Sequence, residues 1–215
     1  MGSPSQAELN SLLEHYQNGR YGDAEKLAIS ITKQFPEHQF SWKILGAVFQ
    51  QTGRMSESVV ICQKAIEVIP QDAEAHYNLG ITLNHLGRLE EAEASFRQAI
   101  SLKPDIAQAH SNLGNTLHEL GKLENAVASY RQAIKVKPDY AEAHSNLGNT
   151  LQELGRLEEA EASYRETIAL KPDYAASYNN LGDMLKDLGR LEEAEASYMK
   201  AIAVKPDYAK AHNNL

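Results

Sequence analysis

The sequence predicts an all-α protein, a right-handed α-solenoid built from stacked antiparallel helix pairs. Three observations support this prediction: a motif recurs every 34 residues, two glycines hold fixed places in it, and a proline closes it. A unit of this length has room for two helices and two turns, and neither helix can bury its apolar face alone. The units must therefore stack on one another, and any binding function is expected on a surface and not in an enclosed pocket.

The period is visible in two sets of glycines and one set of prolines, in each of which successive residues are 34 apart. The sets are Gly46, Gly80, Gly114, Gly148 and Gly182; Gly53, Gly87, Gly121, Gly155 and Gly189; and Pro36, Pro70, Pro104, Pro138, Pro172 and Pro206. With the first glycine set at position 8, complete units occupy residues 39–72, 73–106, 107–140, 141–174 and 175–208, after a degenerate unit at 5–38. Residues 1–4 are expected to be a leader or cloning remnant, and residues 209–215 to begin a truncated seventh unit.

Local signals place two helices in the unit 141–174. The first is expected at about 140–154 and the second at about 157–170. Asp139, with Glu142 three residues later, is typical of a capping box at the start of a helix. These signals predict where each helix begins and ends.

The two glycines of this unit have different predicted roles. Gly155 is expected to end the first helix with a positive φ. Gly148 has no side chain, so the second helix, with Tyr164 on its packing face, can approach the first helix closely there. Small residues facing large ones are expected to hold each pair together.

The recurring residues resemble the tetratricopeptide repeat family over nearly the whole chain. The matching features are an aromatic residue or histidine at position 4 (Trp42, His76, His110, His144 and Tyr178), the Leu-Gly pair, the alanine and aromatic of the second helix, and the final proline. Within the family, the text Ser-Asn-Leu-Gly-Asn at 111–115 and 145–149 is similar to the superhelical repeats of O-linked N-acetylglucosamine transferases and related bacterial proteins. This resemblance implies a non-catalytic scaffold that binds proteins or peptides.

The predicted site lies on the polar stripe of the first helices. Once the packing face is assigned, positions 2, 5, 6, 9, 12 and 13 of each unit remain on one further face, the concave side in tetratricopeptide arrays. Asparagine recurs there at position 6 (Asn78, Asn112, Asn146, Asn180 and Asn214) and at position 9 (Asn115 and Asn149). A carboxamide offers a donor and an acceptor, so a row of them matches the backbone of an extended peptide. In the glycosyltransferase-like arrays, equivalent asparagines are implicated in holding peptide substrates.

The same asparagines have a second interpretation, in which their amides bridge neighbouring helices or hold water. The rest of the stripe changes along the chain. Its early part is apolar (Phe40, Ile44, Tyr77 and Ile81) and its later part is polar (Glu142, Gln152, Glu153, Asp183, Lys186 and Asp187). A peptide with apolar and basic portions is therefore the expected partner.

Composition narrows the classes of partner and location. The net charge of -8 argues against nucleic acid and anionic membranes, which need a basic surface. Much of this acidity lies in residues such as Glu158, Glu159 and Glu161, which are expected on a solvated helix face. Cys62 is the only cysteine, so no disulfide framework exists, and no stretch approaches transmembrane length. A cytoplasmic protein is the expectation.

No motif in the sequence indicates an enzyme, a metal or a cofactor. The histidines at position 4 are too far apart to share one ion, since equivalent residues of stacked units lie about 10 Å apart. They are expected to pack between helices. Two alternatives to a scaffold remain: a substrate-recruiting part of a larger enzyme with its catalytic domain beyond residue 215, and a self-assembling array. The truncated last unit is expected to expose apolar surface and to associate with another copy.

Overall fold

The computed structural model describes residues 2–215, and 78% of the chain is helical, with no strand in the described part. The helices are α1 (Gln6–Gln17), α2 (Tyr21–Gln34), α3 (Gln39–Gln51), α4 (Met55–Val68), α5 (Ala73–His85), α6 (Leu89–Leu102), α7 (Ala107–Glu119), α8 (Leu123–Val136), α9 (Ala141–Glu153), α10 (Leu157–Leu170), α11 (Ala175–Asp187), α12 (Leu191–Val204) and α13 (Ala209–Asn214). The predicted all-α solenoid class is confirmed.

The chain divides into two compact units, Met1–Asp105 and Ile106–Leu215. In the first, the core is formed where α1, α2 and α3 meet, with Leu12 and Val48 fully buried. In the second, α7 and α8, α9 and α10, and α11 and α12 form three successive helix pairs, and α13 packs after them. Each unit is a stack of such pairs.

The helix pair α9 and α10 shows how the sequence determines the packing. Ala160, Tyr164 and Thr167 of α10 are all fully buried. A β-carbon at Gly148 would lie only 2.7 Å from the Tyr164 ring, so the ring occupies the space that the missing side chain leaves. Gly155 follows the end of α9 with a φ of +72°, in the left-handed region that glycine tolerates best. Both predicted glycine roles are confirmed.

The predicted capping box at Asp139 is wrong. The residue before α9 is Tyr140, and no side chain caps the helix there. The turn is instead closed from inside the helix, because His144 Nε2 lies 3.0 Å from the carbonyl oxygen of Pro138. His76, His212 and Trp42 form the same bond to the proline carbonyl six residues earlier. At these four places the residue at position 4 therefore closes the turn between repeats, which accounts for its ring nitrogen; Tyr178, at position 4 of α11, has none.

The acidic second helices differ in part from the expected solvated face. Glu158 is exposed, but the Glu161 side chain is only 18% exposed and lies between two arginines. Arg190 Nη1 of the next repeat approaches Glu161 Oε2 to 2.6 Å, and Arg165 approaches Oε1 to 2.7 Å. Hydrogen bonds from Arg190 are the main cause that lowers the pKa of Glu161. These carboxylates link neighbouring repeats.

Two smaller expectations concern Cys62 and membranes. Cys62 is buried beside Gly46, as expected of a small apolar residue, and burial raises the pKa of its thiol. From residue 2 to residue 215, no helix combines the length and the hydrophobicity needed to cross a membrane.

Candidate functional site

The predicted binding residues lie on the first helix of each repeat and are half-buried. In the unit Ile106–Leu215 they form one surface, here called the asparagine face, made of Asn112 and Asn115 on α7, Asn146 and Asn149 on α9, and Asn180 and Asp183 on α11. Asn214 of α13 joins its end. The aspartate at position 9 of α11 stands where the two preceding repeats have asparagine.

Neighbouring repeats are joined by the asparagine side chains. Asn115 Oδ1 accepts two hydrogen bonds, from Tyr130 Oη at 2.8 Å and from Asn146 Nδ2 of the next repeat at 3.0 Å. Asn149 repeats this arrangement, with Tyr164 Oη and Asn180 Nδ2 both at 2.9 Å. The interpretation in which the amides bridge neighbouring helices is therefore correct for the end of each amide that points toward the adjacent repeat.

Asp183 fixes the direction of these bonds. Its Oδ1 accepts from Tyr198 Oη and from Asn214 Nδ2, both at 2.8 Å. An ionised carboxylate can only accept, so position 9 must face the tyrosine and the next asparagine with an acceptor. The same geometry at Asn115 and Asn149 places the amide oxygen inward and the amide nitrogen outward.

Four of these amides consequently keep one unused end. Asn115 and Asn149 retain an Nδ2 group that donates to no described residue, and Asn146 and Asn180 retain an Oδ1 that accepts from none. Across the described residues, the buried side-chain polar atoms without a partner are His15 Nδ1, Ser111 Oγ and Ser177 Oγ. The free ends of the asparagines are not among them, so they are accessible to solvent. Free donors at Asn115 and Asn149 thus alternate along the face with free acceptors at Asn146 and Asn180, and α9 carries one of each.

The first unit lacks this arrangement, although the sequence places Asn78 in the same row. The preceding position 9 is Ala47, which has no acceptor, and the Asn78 side chain bonds to no described residue. The helix-pair aromatic there is Phe96, without a hydroxyl, and position 9 is Ile81. Tyrosine occurs in the pair only where position 9 can accept from it.

The predicted stripe included position 5, and this part is wrong. Ser111 and Ser145 are buried, with exposed fractions of 1% and 6%, because this position faces the neighbouring helix. Ile44, predicted on the early, apolar part of the stripe, is also buried, with 8% exposed. The accessible surface is therefore narrower than the pattern indicates, and positions 6, 9, 12 and 13 carry its chemistry.

A row of carboxylates borders the asparagine face one helical turn beyond position 9. Position 13 holds Glu119, Glu153 and Asp187 on α7, α9 and α11, and all three are exposed. His118 Nε2 lies 2.9 Å from Glu153 Oε1, and Gln152 Nε2 donates to Asp187 Oδ2 at 3.4 Å. Each contact joins position 12 of one repeat to position 13 of the next.

The carboxylates at this face raise the pKa values of the buried tyrosines beside them. Burial raises the pKa of Tyr130, and the charges of Glu119, Glu142 and Glu153 raise it further. Burial likewise raises the pKa of Tyr164, with Asp183 and Glu153 adding to the shift. For the part of the chain that the structure describes, no group of three residues has the geometry to hold a metal ion.

The fold and this surface define a helical-repeat protein with a polar face, and sequence comparison identifies its family. Tetratricopeptide repeat profiles match residues 73–106 and 139–207, and a further profile of this repeat matches residues 114–155. Together the matches cover more than half of the chain. The chain belongs to the tetratricopeptide repeat family.

Solved structures of low sequence identity share the fold. PilW, a widely conserved type IV pilus biogenesis factor, is 19% identical with a TM-score of 0.84, covering 98% of this chain and 99% of PilW. PilF of Pseudomonas aeruginosa is 17% identical with a TM-score of 0.82, covering 96% and 94%. YrrB, described as a tetratricopeptide protein with an unusual peptide-binding site, is 20% identical with a TM-score of 0.74, covering 86% and 96%. No curated protein matches the sequence significantly.

Proposed function

We propose that the chain is a scaffold that binds an extended polypeptide along the asparagine face. Tetratricopeptide repeats are in general interaction modules without catalytic activity, and this family membership supports the class of function. The similarity of fold to YrrB, a peptide-binding protein of the same family, is consistent with it. The particular surface is proposed from its geometry.

The observation that carries the proposal is the alternation of free donors and acceptors. Asn149 presents an amide nitrogen outward while Asn180 of the next helix presents an amide oxygen. An extended backbone offers N–H and C=O groups at regular intervals, so it can bond to this row of asparagines whatever side chains the peptide carries. Because Tyr164 holds the inner oxygen of Asn149, this amide is oriented before any ligand arrives.

Asp183 shows which substitution tests this proposal most sharply, because aspartate already stands there at position 9 of α11. Asn115→Asp with Asn149→Asp retains the inner oxygen, as Asp183 does naturally, but replaces each outward donor by an acceptor. The ligand is a fluorescein-labelled neutral peptide of about twelve residues, mostly serine, threonine and valine. Since each hydrogen bond is worth about 0.5–1.5 kcal/mol, the double variant should bind this peptide at least about fivefold more weakly by fluorescence anisotropy.

The matched control is Asn125→Asp with Gln132→Glu, which adds the same two carboxylates at exposed positions of α8, away from this face. Urea denaturation should show that the double variant of Asn115 and Asn149 keeps nearly the wild-type stability. Equal peptide affinity of this double variant and the wild type would contradict the proposal, as would the absence of binding by any extended peptide.

Two other proposals have weaker support. Self-association is favoured by the exposure of large apolar side chains on α12, where Leu191 is 63% and Met199 57% exposed. A role as the substrate-recruiting part of a larger glycosyltransferase-like enzyme, and a cytoplasmic location, stay predictions from the sequence.

A further inference from the structure

The asparagine face carries charge that its own chain leaves uncompensated. On the second helices, Glu124, Glu159, Glu161 and Glu193 each lie within 4 Å of an arginine. At the edge of the asparagine face, by contrast, Glu119 and Asp187 form no ion pair with any described residue, and Glu153 pairs only with His118. Four carboxylates of the second helices are thus paired with arginine, whereas no carboxylate at position 13, beside the proposed peptide site, has an arginine or lysine partner among the described residues.

These free carboxylates recur along the chain with the same 34-residue spacing as the asparagines. Glu119, Glu153 and Asp187 all occupy position 13, four residues after position 9, so on each helix the carboxylate lies about 6 Å along the axis from the outward amide. A lysine side chain is about that long, and its charged end can reach the carboxylate while the peptide backbone bonds to the asparagines. The cations on the same face, Lys186 and Lys210, form no ion pair with any of these groups in the described chain.

The distance between repeats sets the spacing required of a partner. Packed helices lie about 8–10 Å apart, and side-chain bonds of 3.0 and 2.9 Å between α7 and α9 and between α9 and α11 show direct packing here. An extended chain in the polyproline II conformation advances about 3.1 Å per residue with three residues per turn, so three residues span about one repeat and every third side chain points the same way. Side chains at every third position of a peptide bound in this conformation therefore meet successive carboxylates.

We infer that the unit Ile106–Leu215 selects an extended peptide with lysine or arginine at every third residue. The backbone bonds to the asparagine face, and successive basic side chains pair with Glu119, Glu153 and Asp187. This inference rests on the proposed function and adds the chemistry of the partner.

The test compares three labelled peptides of about twelve residues against the full chain. One has three lysines spaced three residues apart, one has the same composition with the three lysines spaced four residues apart, and one is the neutral peptide. At low salt the first should bind about tenfold more tightly than the neutral peptide, and more tightly than the second. Triple replacement by Glu119→Gln, Glu153→Gln and Asp187→Asn should remove this advantage.

A control with the same change of net charge is available on the outer helices. Glu158→Gln, Glu166→Gln and Glu192→Gln remove three exposed carboxylates that form no ion pair within the described chain. This control should keep the preference for the third-position peptide. Equal affinity for the two lysine peptides, or an equal loss in the control, would overturn the inference and indicate attraction by net charge alone.

The failure of this inference can be distinguished from the failure of the proposed function. One outcome would contradict only this inference: the neutral peptide binds and loses affinity when Asn115 and Asn149 are replaced, but the triple variant binds every peptide as tightly as the wild type does. The proposed peptide site would then be retained, and its preference for basic peptides would be wrong. If no peptide depends on the asparagines, the proposed function is wrong as well.

Discussion

The contact between Gly148 and Tyr164 allows a prediction with its own internal control. In Gly148→Ala the new β-carbon would lie 2.7, 2.8 and 3.1 Å from three atoms of the Tyr164 ring. The ring is fully buried, and its hydroxyl lies 2.9 Å from both Asn149 Oδ1 and Gln152 Oε1, so it cannot move without breaking other contacts. Overpacking of this kind costs about 1–3 kcal/mol.

The control is Gly46→Ala, at the same position of an earlier repeat. There the nearest atoms to a new β-carbon are Cys62 Sγ at 3.3 Å and Ile61 Cγ2 at 3.6 Å, which is tight but tolerable. Both variants gain about 1 kcal/mol from the better helix propensity of alanine. The difference between them therefore isolates the clash, and Gly148→Ala should be the less stable by about 1–3 kcal/mol.

Urea denaturation followed by circular dichroism measures this difference. With a slope of about 2 kcal/mol per M, the two midpoints should differ by about 0.5–1.5 M. In a Tyr164→Cys background, which copies the Gly46 and Cys62 pair, Gly148→Ala should become no more costly than Gly46→Ala. Equal midpoints for the two single variants in the wild-type background would refute the assigned contact.

Two further predictions concern Glu161 and the exposed side chains of α12. Because Arg190 lowers the folded-state pKa of Glu161, this pair stabilises the protein above the unfolded pKa of about 4.3 and the effect is lost as the pH falls through the folded value. Wild type should therefore exceed Glu161→Gln in stability at pH 7 by up to about 1 kcal/mol, with no difference near pH 2, and a difference that persists in acid would contradict this. If Leu191 and Met199 mediate self-association, light scattering should show a mass that rises with concentration for wild type and less for Leu191→Ser with Met199→Ser, whereas a constant monomer mass for both would exclude it.

The fold could be predicted from the sequence because its determinants are local and repeated. The 34-residue period, Gly148 opposite Tyr164 and the positive φ at Gly155 all follow from residues close together in the chain or in one helix pair. The predicted capping box was wrong although its determinant is also local, because His144 closes the turn through a contact with the carbonyl group of Pro138, six residues earlier, and capping patterns do not include this contact. Local rules predicted the helices but not how this turn is closed.

The site was predicted only in outline because it depends on the register between repeats. Helical periodicity places the asparagines on one face of their own helices, but the bonds from Asn146 to Asn115 and from Asn180 to Asn149 join residues 31 apart. Helical periodicity does not determine how two neighbouring first helices are shifted against each other. The same register buries Ser145 at position 5, which periodicity alone would leave on the surface.

A signal for the missed tyrosine hydroxyls does exist in the sequence. Tyr130, Tyr164 and Tyr198 each accompany asparagine or aspartate at position 9, whereas Phe96 accompanies Ile81 and Cys62 accompanies Ala47. The hydroxyl is present only where position 9 can accept its bond. This correlation within one chain shows that the bridging and binding interpretations of the asparagines are not exclusive. The inner end of each bridging amide joins neighbouring repeats, and that constraint leaves the outer end oriented toward solvent.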